Sequence, residues 1–288
     1  MKLATIDMHG QPRVALVDSV LGEVRPLSLS AGASATDMVE LIRSGEVPSQ
    51  LEAPLPLESV RLMAPIPRPR RNIFCVGKNY HDHALEFARS GFDSSVVNGQ
   101  AIPEHPIIFS KVPECVVGPG DDVRYPEGAS QQLDYEAELA VVIGKGGRGI
   151  SRQAAYDHVW GYTLFNDVTV RDLQSTHRQW LIGKSLDTFG PMGPFVVTAD
   201  EIDPEDLTLS CWVNGELRQQ ASTRDLIFTI PAIIEAISAG ITLYPGDIIA
   251  TGTPAGVGIG FEPPRFLQRG DVVTIEAAAI GRLSNAIS

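Results

Sequence analysis

Short apolar runs of β type, each closed by glycine or proline, constrain the fold of this chain more than any other feature. "NIFCVG", "PIIFSK", "ELAVVIG", "GYTLFND", "PFVVT", "LTLSCWVNGEL", "DIIATGTP" and "DVVTIEAA" follow one another between residues 72 and 278. With 27 Gly and 21 Pro in 288 residues, few stretches escape such punctuation. "WVNGEL" predicts a hairpin, because Asn-Gly suits a type I′ turn. The clearest helical stretches are "SRQAAYDHV" and "FTIPAIIEAISAG", the second stopped by Gly240. Regular alternation of strand and helix is missing, so a mostly β, α+β architecture is expected rather than a doubly wound sheet.

The first 66 residues read as a small α/β unit. "KLATIDM" and "RVALVDS" alternate like strands, and "ATDMVELIRSG" reads as a helix closed by Gly45. The proline-rich "APIPRPRRNIFCVG", 64–77, marks a connection. The expected domains are 1–66 and 67–288. A net charge of −12 makes nucleic acid and anionic membranes poor partners. No apolar run is long enough to cross a membrane, and the start lacks the apolar stretch of a signal peptide. Cys75, Cys115 and Cys211 are scattered and odd in number, which fits reduced thiols in the cytoplasm.

"QQLDYEAELAVVIGKG", 131–146, carries the strongest chemical signal. Residues two apart on a strand point to one side, so Asp134, Glu136 and Glu138 share a face just where the strand turns apolar. Like charges so close repel as water is excluded, and a cation would offset that. Oxygen donors at this spacing suit Mg²⁺ or Mn²⁺ rather than Zn²⁺. An acidic strand edge that discourages aggregation is the plainer alternative. Asp167, directly after "GYTLFN", is a third candidate ligand or else an ordinary turn residue. In "GKNYHDHALEFARSG", 77–91, a helix would bring His83 and Glu86 to one face, as a base with its orienting carboxylate or as a surface polar pair. "GKS" at 183–185 misses the phosphate-loop pattern, which needs glycine where Arg178 stands. Alone, Lys184 reads as a snorkelling lysine and "TGTPAGVG", 251–258, as a turn.

Taken together, "DYEAEL", "YTLFNDVTVRDLQ", "GKSLDTFGPMGP" and "PGDIIATGTPAGVG" occur in an order that resembles the fumarylacetoacetate hydrolase family over roughly 70–288. That resemblance implies a mixed β-roll core behind the small N-terminal domain. It implies a Mg²⁺ or Mn²⁺ ion on Glu136, Glu138 and Asp167, with Asp134 outside the ligand set. By the same resemblance His83 and Glu86 form a water-activating dyad on a short lid helix, and Lys184 stabilises an oxyanion or enolate. Gln174, Thr253 and Arg171 are the implied substrate contacts, Arg171 alternatively buttressing the acids, and Thr188 is a weaker candidate near the metal. The irregular stretch 92–105 reads as an active-site cover. The implied substrate is a small anionic 2-oxo acid and the implied assembly a homodimer. The dyad favours hydrolysis of the C3–C4 bond of a 2,4-dioxo acid to pyruvate and a carboxylic acid. Oxaloacetate-type decarboxylation, and hydratase, isomerase or lyase chemistry on 2-oxo-alkenoates, use the same site. A non-catalytic metal-binding protein is the answer from a different class.

Overall fold

The structure is a computed structural model that describes residues 1–28, 35–45, 50–91 and 101–288. The fold is mostly β and belongs to the α+β class. Its main sheet is mixed and runs from Glu23–Ser28 through Gln11–Asp18, Lys2–Met8, Gly190–Thr198, Val159–Asn166, Ala137–Ile143 and Ile248–Ala250 to Ile73–Gly77 and Ile107–Lys111. Neighbours are antiparallel except Ile248–Ala250 beside Ile73–Gly77. A second, antiparallel sheet orders Glu216–Ser222, Thr208–Val213, Val272–Ala277 and Gly281–Ala286. The expected hairpin is there, with Asn214 and Gly215 at φ 52° and 80°, as a type I′ turn requires.

The two expected units share one sheet. Leu3 lies opposite Val196 across an antiparallel ladder, so the N-terminal strands extend the sheet of the larger unit without a break in hydrogen bonding. They also share a core, in which Leu3, Val14 and Met38 join Cys75, Val142, Phe165 and Val196. Helix Met38–Ser44 is capped by the Asp37 side chain and ends at Gly45 with φ 63°. "SRQAAYDHV" forms a 3-10 helix, Arg152–His158, instead of an α-helix. It packs on helix Ile230–Ser238. Strand Ala137–Ile143 is buried at every position, covered on both faces as its continuous apolar run requires. Among the described residues no helix is long and apolar enough to cross a membrane.

All three tryptophans, Trp160, Trp180 and Trp212, lie beyond residue 66, so their fluorescence reports the larger unit. Leu3 is fully buried. Leu3→Ala is expected to lower the urea midpoint of that fluorescence transition, at a cost of about 2–5 kcal/mol. A separate early transition that leaves the tryptophan signal in place would show the sheet to be thermodynamically divided.

Candidate active site

Register brings the acids together. Strands Ala137–Ile143 and Val159–Asn166 pair with Ala137 opposite Asn166 and Glu138 opposite Phe165. Asp167, one residue past the second strand, therefore lies beside the start of the first. Its N–H donates to the Glu136 carbonyl at 2.9 Å, and the Glu136 N–H donates to Asn166 Oδ1 at 3.1 Å. Glu136, Glu138 and Asp167 are all buried, each offering an oxygen within 4.8 Å of the others. Asp134 departs from the shared face expected for it. It sits in a separate short ladder with Thr169–Val170 and turns to other partners.

Those partners make it a structural hub. Its carboxylate accepts from Arg171 Nε at 2.8 Å, from the Gly258 N–H at 2.6 Å and from the Ile259 N–H at 3.1 Å. Arg171 opens helix Arg171–Thr176 and pairs through Nη1 with Glu136 at 2.6 Å. One turn on, Gln174 accepts from the same Nη1 at 3.2 Å. Lys184 ends the short helix Leu181–Lys184, with its ammonium 2.6 Å from Glu136 and 2.9 Å from Asp167. Gly183 allows this approach, because a Cβ there would press into the backbone of Gln174.

Sequence reading missed Lys111. It is fully buried at the end of strand Ile107–Lys111, 2.7 Å from Asp167, and donates to the Val168 carbonyl at 2.9 Å. Nothing in "PIIFSK" separates it from a lysine that ends a surface strand. Gln219 was equally hidden in the hairpin. Its Oε1 accepts from the Ala137 N–H, which orients the amide so that Nε2 donates to Thr253 Oγ1 at 2.8 Å. Thr253 then keeps its own O–H free to donate elsewhere.

The acids titrate apart. Burial works to raise Glu136, but the charges of Lys184 and Arg171 overcome it and hold the carboxyl down to about 2. Burial pushes Glu138 well above the usual range, and the charges of Asp167 and Glu136 push it further. The amide of Gly252, at 2.8 Å, only partly opposes this. Lys184 is lowered by burial yet raised overall by Asp167 and Glu136. Four buried acids thus face three buried bases, Lys111, Arg171 and Lys184. Oxygen donors, burial and one carboxylate disfavoured as an anion together fit a divalent cation at Glu136, Glu138 and Asp167.

The helix His81–Arg89 turns His83, Ala84 and Phe87 inward and leaves His81 exposed. His83 Nδ1 lies 3.2 Å from Glu86 Oε2. Glu86 is in turn held by the Gly256 N–H at 2.9 and 3.2 Å. The "TGTPAGVG" turn therefore grips the dyad from behind. Asn79, just before the helix, donates to the carbonyls of Phe228 and Thr251 and accepts from the Phe228 N–H. Phe87, Phe109 and Trp180 form an aromatic wall, with Trp180 edge-on to Phe87 at 6.2 Å and to Phe109 at 5.0 Å. A Cβ on Gly77 would overlap the Trp180 ring, so the glycine lets strand and indole meet. Lys78 follows at φ 55°, a conformation that costs a lysine on the order of 1 kcal/mol.

His83, Glu136, Glu138, Arg171, Gln174, Lys184 and Thr253 all line one cavity of about 10 Å³, with Val76, Gly77, Lys78, Phe87, Phe109 and Trp180 completing its wall. Glu86 and Asp167 stand directly behind this lining. Thr188 lies elsewhere, accepting from the Arg124 N–H, and is not in the cavity wall. The expected cover 92–105 falls mostly in 92–100, outside the described residues.

Residues 72–288 match the family model described as the fumarylacetoacetate (FAA) hydrolase C-terminal domain. The oxaloacetate tautomerase YisK of Bacillus subtilis is 55% identical over 232 residues, 80% of this chain and 74% of that protein. A fumarylacetoacetate hydrolase from Exiguobacterium antarcticum superposes with a TM-score of 0.86 at 39% identity, covering 100% of this chain and 99% of its own. A maleylpyruvate hydrolase from Sphingobium, solved with manganese(II) and pyruvate, reaches 0.76 at 32% identity, covering 100% and 98%.

Divalent cation at a concentration a hundredfold above its Kd is expected to stabilise the protein by about 2.7 kcal/mol, read as a rise in melting temperature that chelator reverses. Glu138→Gln removes the carboxylate that burial disfavours as an anion. It is expected to raise the melting temperature in chelator and to shrink the rise with cation. A variant that keeps the full rise would remove Glu138 from the ligand set.

Proposed function

The chain belongs to the fumarylacetoacetate hydrolase family, and we propose that it is a divalent-metal-dependent enzyme that interconverts the keto and enol forms of a small 2-oxo diacid of the oxaloacetate type. The observation that carries this reading is an acid–base dyad, His83 with Glu86, in the wall of the cavity lined by Glu136 and Glu138. Tautomerisation needs one base that takes a proton beside a carbonyl and an oxygen that is stabilised as it gains charge. The 55% identity to an oxaloacetate tautomerase supports the choice of substrate.

Glu136, Glu138 and Asp167 would hold the cation, which when bound draws electron density from the 2-oxo acid end and makes its C3 proton more acidic. His83 takes that proton from C3. The C2–C3 double bond forms and the carbonyl pair moves to the C2 oxygen, which then accepts a proton; the reverse direction retraces these steps. Glu86 orients the imidazole and stabilises it once protonated. The Lys184 ammonium, fixed between Glu136 and Asp167, steadies the oxygen as it charges. Thr253, with its O–H left free by Gln219, donates to the carboxylate at the metal end. Gln174 and the Nη2 of Arg171, which has no partner among the described residues, are the further contacts for that end.

The dyad also favours a second reading, the C–C hydrolysis expected from the sequence. There His83 takes its proton from water, the oxygen attacks the C4 carbonyl, the C3–C4 bond breaks and C3 is protonated. The likeness to a maleylpyruvate hydrolase supports it. A homodimer is carried forward as part of the proposal, and light scattering in line with size exclusion would read a mass near twice 31.0 kDa.

Enol oxaloacetate should lose its ultraviolet absorbance faster with protein and Mg²⁺ than with chelator. His83→Ala and Glu86→Gln are expected to lower kcat/KM by about 10²–10⁴. Release of pyruvate and acetate from acetylpyruvate, with no effect on oxaloacetate, would replace the first reading by the second.

A further inference from the structure

A second cavity, of about 540 Å³, lies away from the one described above. It is lined by the 3-10 helix Arg152–His158, by strand Val159–Asn166 and by the segment that follows strand Gly190–Thr198. It shares no residue with the cavity of His83. Tyr162, in its wall, stands five residues before Asp167, roughly 16 Å along an extended chain.

The wall carries Asp157, Asp200, Asp203 and Glu205. Asp200 lies 3.9 Å from the Met1 ammonium, whereas no base pairs with Asp157, Asp203 or Glu205 among the described residues. Exposed acids are ordinary on a chain of net charge −12 and by themselves point to no ligand. The tyrosine between them does. Tyr162 is 1% exposed, yet among the described residues its hydroxyl has no hydrogen-bond partner, and the cavity is what it faces. A buried tyrosine hydroxyl usually finds a partner. Burial, then the charges of Asp203 and Glu205, raise this phenol above its usual range, so it stays protonated beside those carboxylates. Tyr156 donates to Glu205 Oε1 at 2.6 Å, which leaves its own oxygen able to accept. The polar side chains of the wall are thus two phenols and four carboxylates, a set suited to accept from a cation.

A metal ion does not fit them. Among the described residues, three side chains with ligand atoms within 4.8 Å of one another occur at Glu136, Glu138 and Asp167 and not here. The acids of this cavity are spread, so a matching ligand carries its charges apart. Between charges it needs apolar surface, which the two tyrosine rings, Ala199, Ile202 and Pro204 supply. A ring face also attracts an ammonium group. We propose that this cavity binds a linear alkyl diamine or polyamine, its methylenes on Tyr156 and Tyr162 and one ammonium on the Tyr162 hydroxyl and Glu205.

The test is calorimetric titration with 1,4-diaminobutane at fixed ionic strength, with n-butylamine as the singly charged comparison. Wild type is set beside Tyr162→Phe, Glu205→Gln and Glu58→Gln, the last removing an exposed acid outside the cavity. Wild type is expected to bind one diamine saturably and butylamine more weakly. Tyr162→Phe, which removes a single oxygen, should weaken the diamine about 2–10-fold. Glu205→Gln should weaken it about 2–5-fold, the range of an exposed ion pair, and Glu58→Gln should leave it unchanged. Absence of saturable binding, an unchanged affinity in Tyr162→Phe, or an equal loss in Glu58→Gln overturns the proposal, the last by reducing it to attraction toward an acidic protein. Butylamine bound as tightly as the diamine overturns the choice of ligand class. Melting curves check that Tyr162→Phe is folded; if it is not, Glu205→Gln against Glu58→Gln decides by the same comparison.

Discussion

Like-charge repulsion among carboxylates that have been taken out of water organises this molecule. Asp134, Glu136, Glu138 and Asp167 are buried together, and each buried charge without a partner would cost several kcal/mol, as a rough scale. Three bases are drawn in to answer them: Lys111 from a strand end, Arg171 from the first residue of one short helix and Lys184 from the last of another. Backbone amides from the loop around Gly252, Gly258 and Ile259 complete the set. The loops are thus held by the same charges that make the site. Asp134 does the structural share of this work, which frees Glu136, Glu138 and Asp167 to face a cation.

A second layer ties helix His81–Arg89 to that framework. Glu86 reaches from that helix to the Gly256 amide, in the turn that also supplies Thr253. Gln219 links Thr253 back to Ala137, at the start of the strand that presents Glu138. Glu86, Thr253 and Ala137 are thus joined through the turn 253–256 and the Gln219 amide.

Much of this was legible in the residues. The apolar runs with Gly and Pro between them predict a mostly β chain, and the family resemblance rests on motifs whose side chains converge in one cavity. The period of two that put Asp134, Glu136 and Glu138 on one face failed at Asp134, because the chain leaves the regular strand between Asp134 and Ala137. Lys111 and Gln219 could not be found from sequence. Each acts through a partner far away in the chain, Asp167 for the first and both Ala137 and Thr253 for the second. The sheet shared by residues 1–66 and the rest was hidden for the same reason: pairing of Leu3 with Val196 leaves no local signal.

The cavity of about 10 Å³ has room for roughly one water molecule. The imidazole of His83 is buried beside it. In the proposed tautomerisation one base serves both directions, so a proton leaves and returns on one face of C3. Ketonisation in deuterium oxide would then place deuterium at C3 in a single configuration.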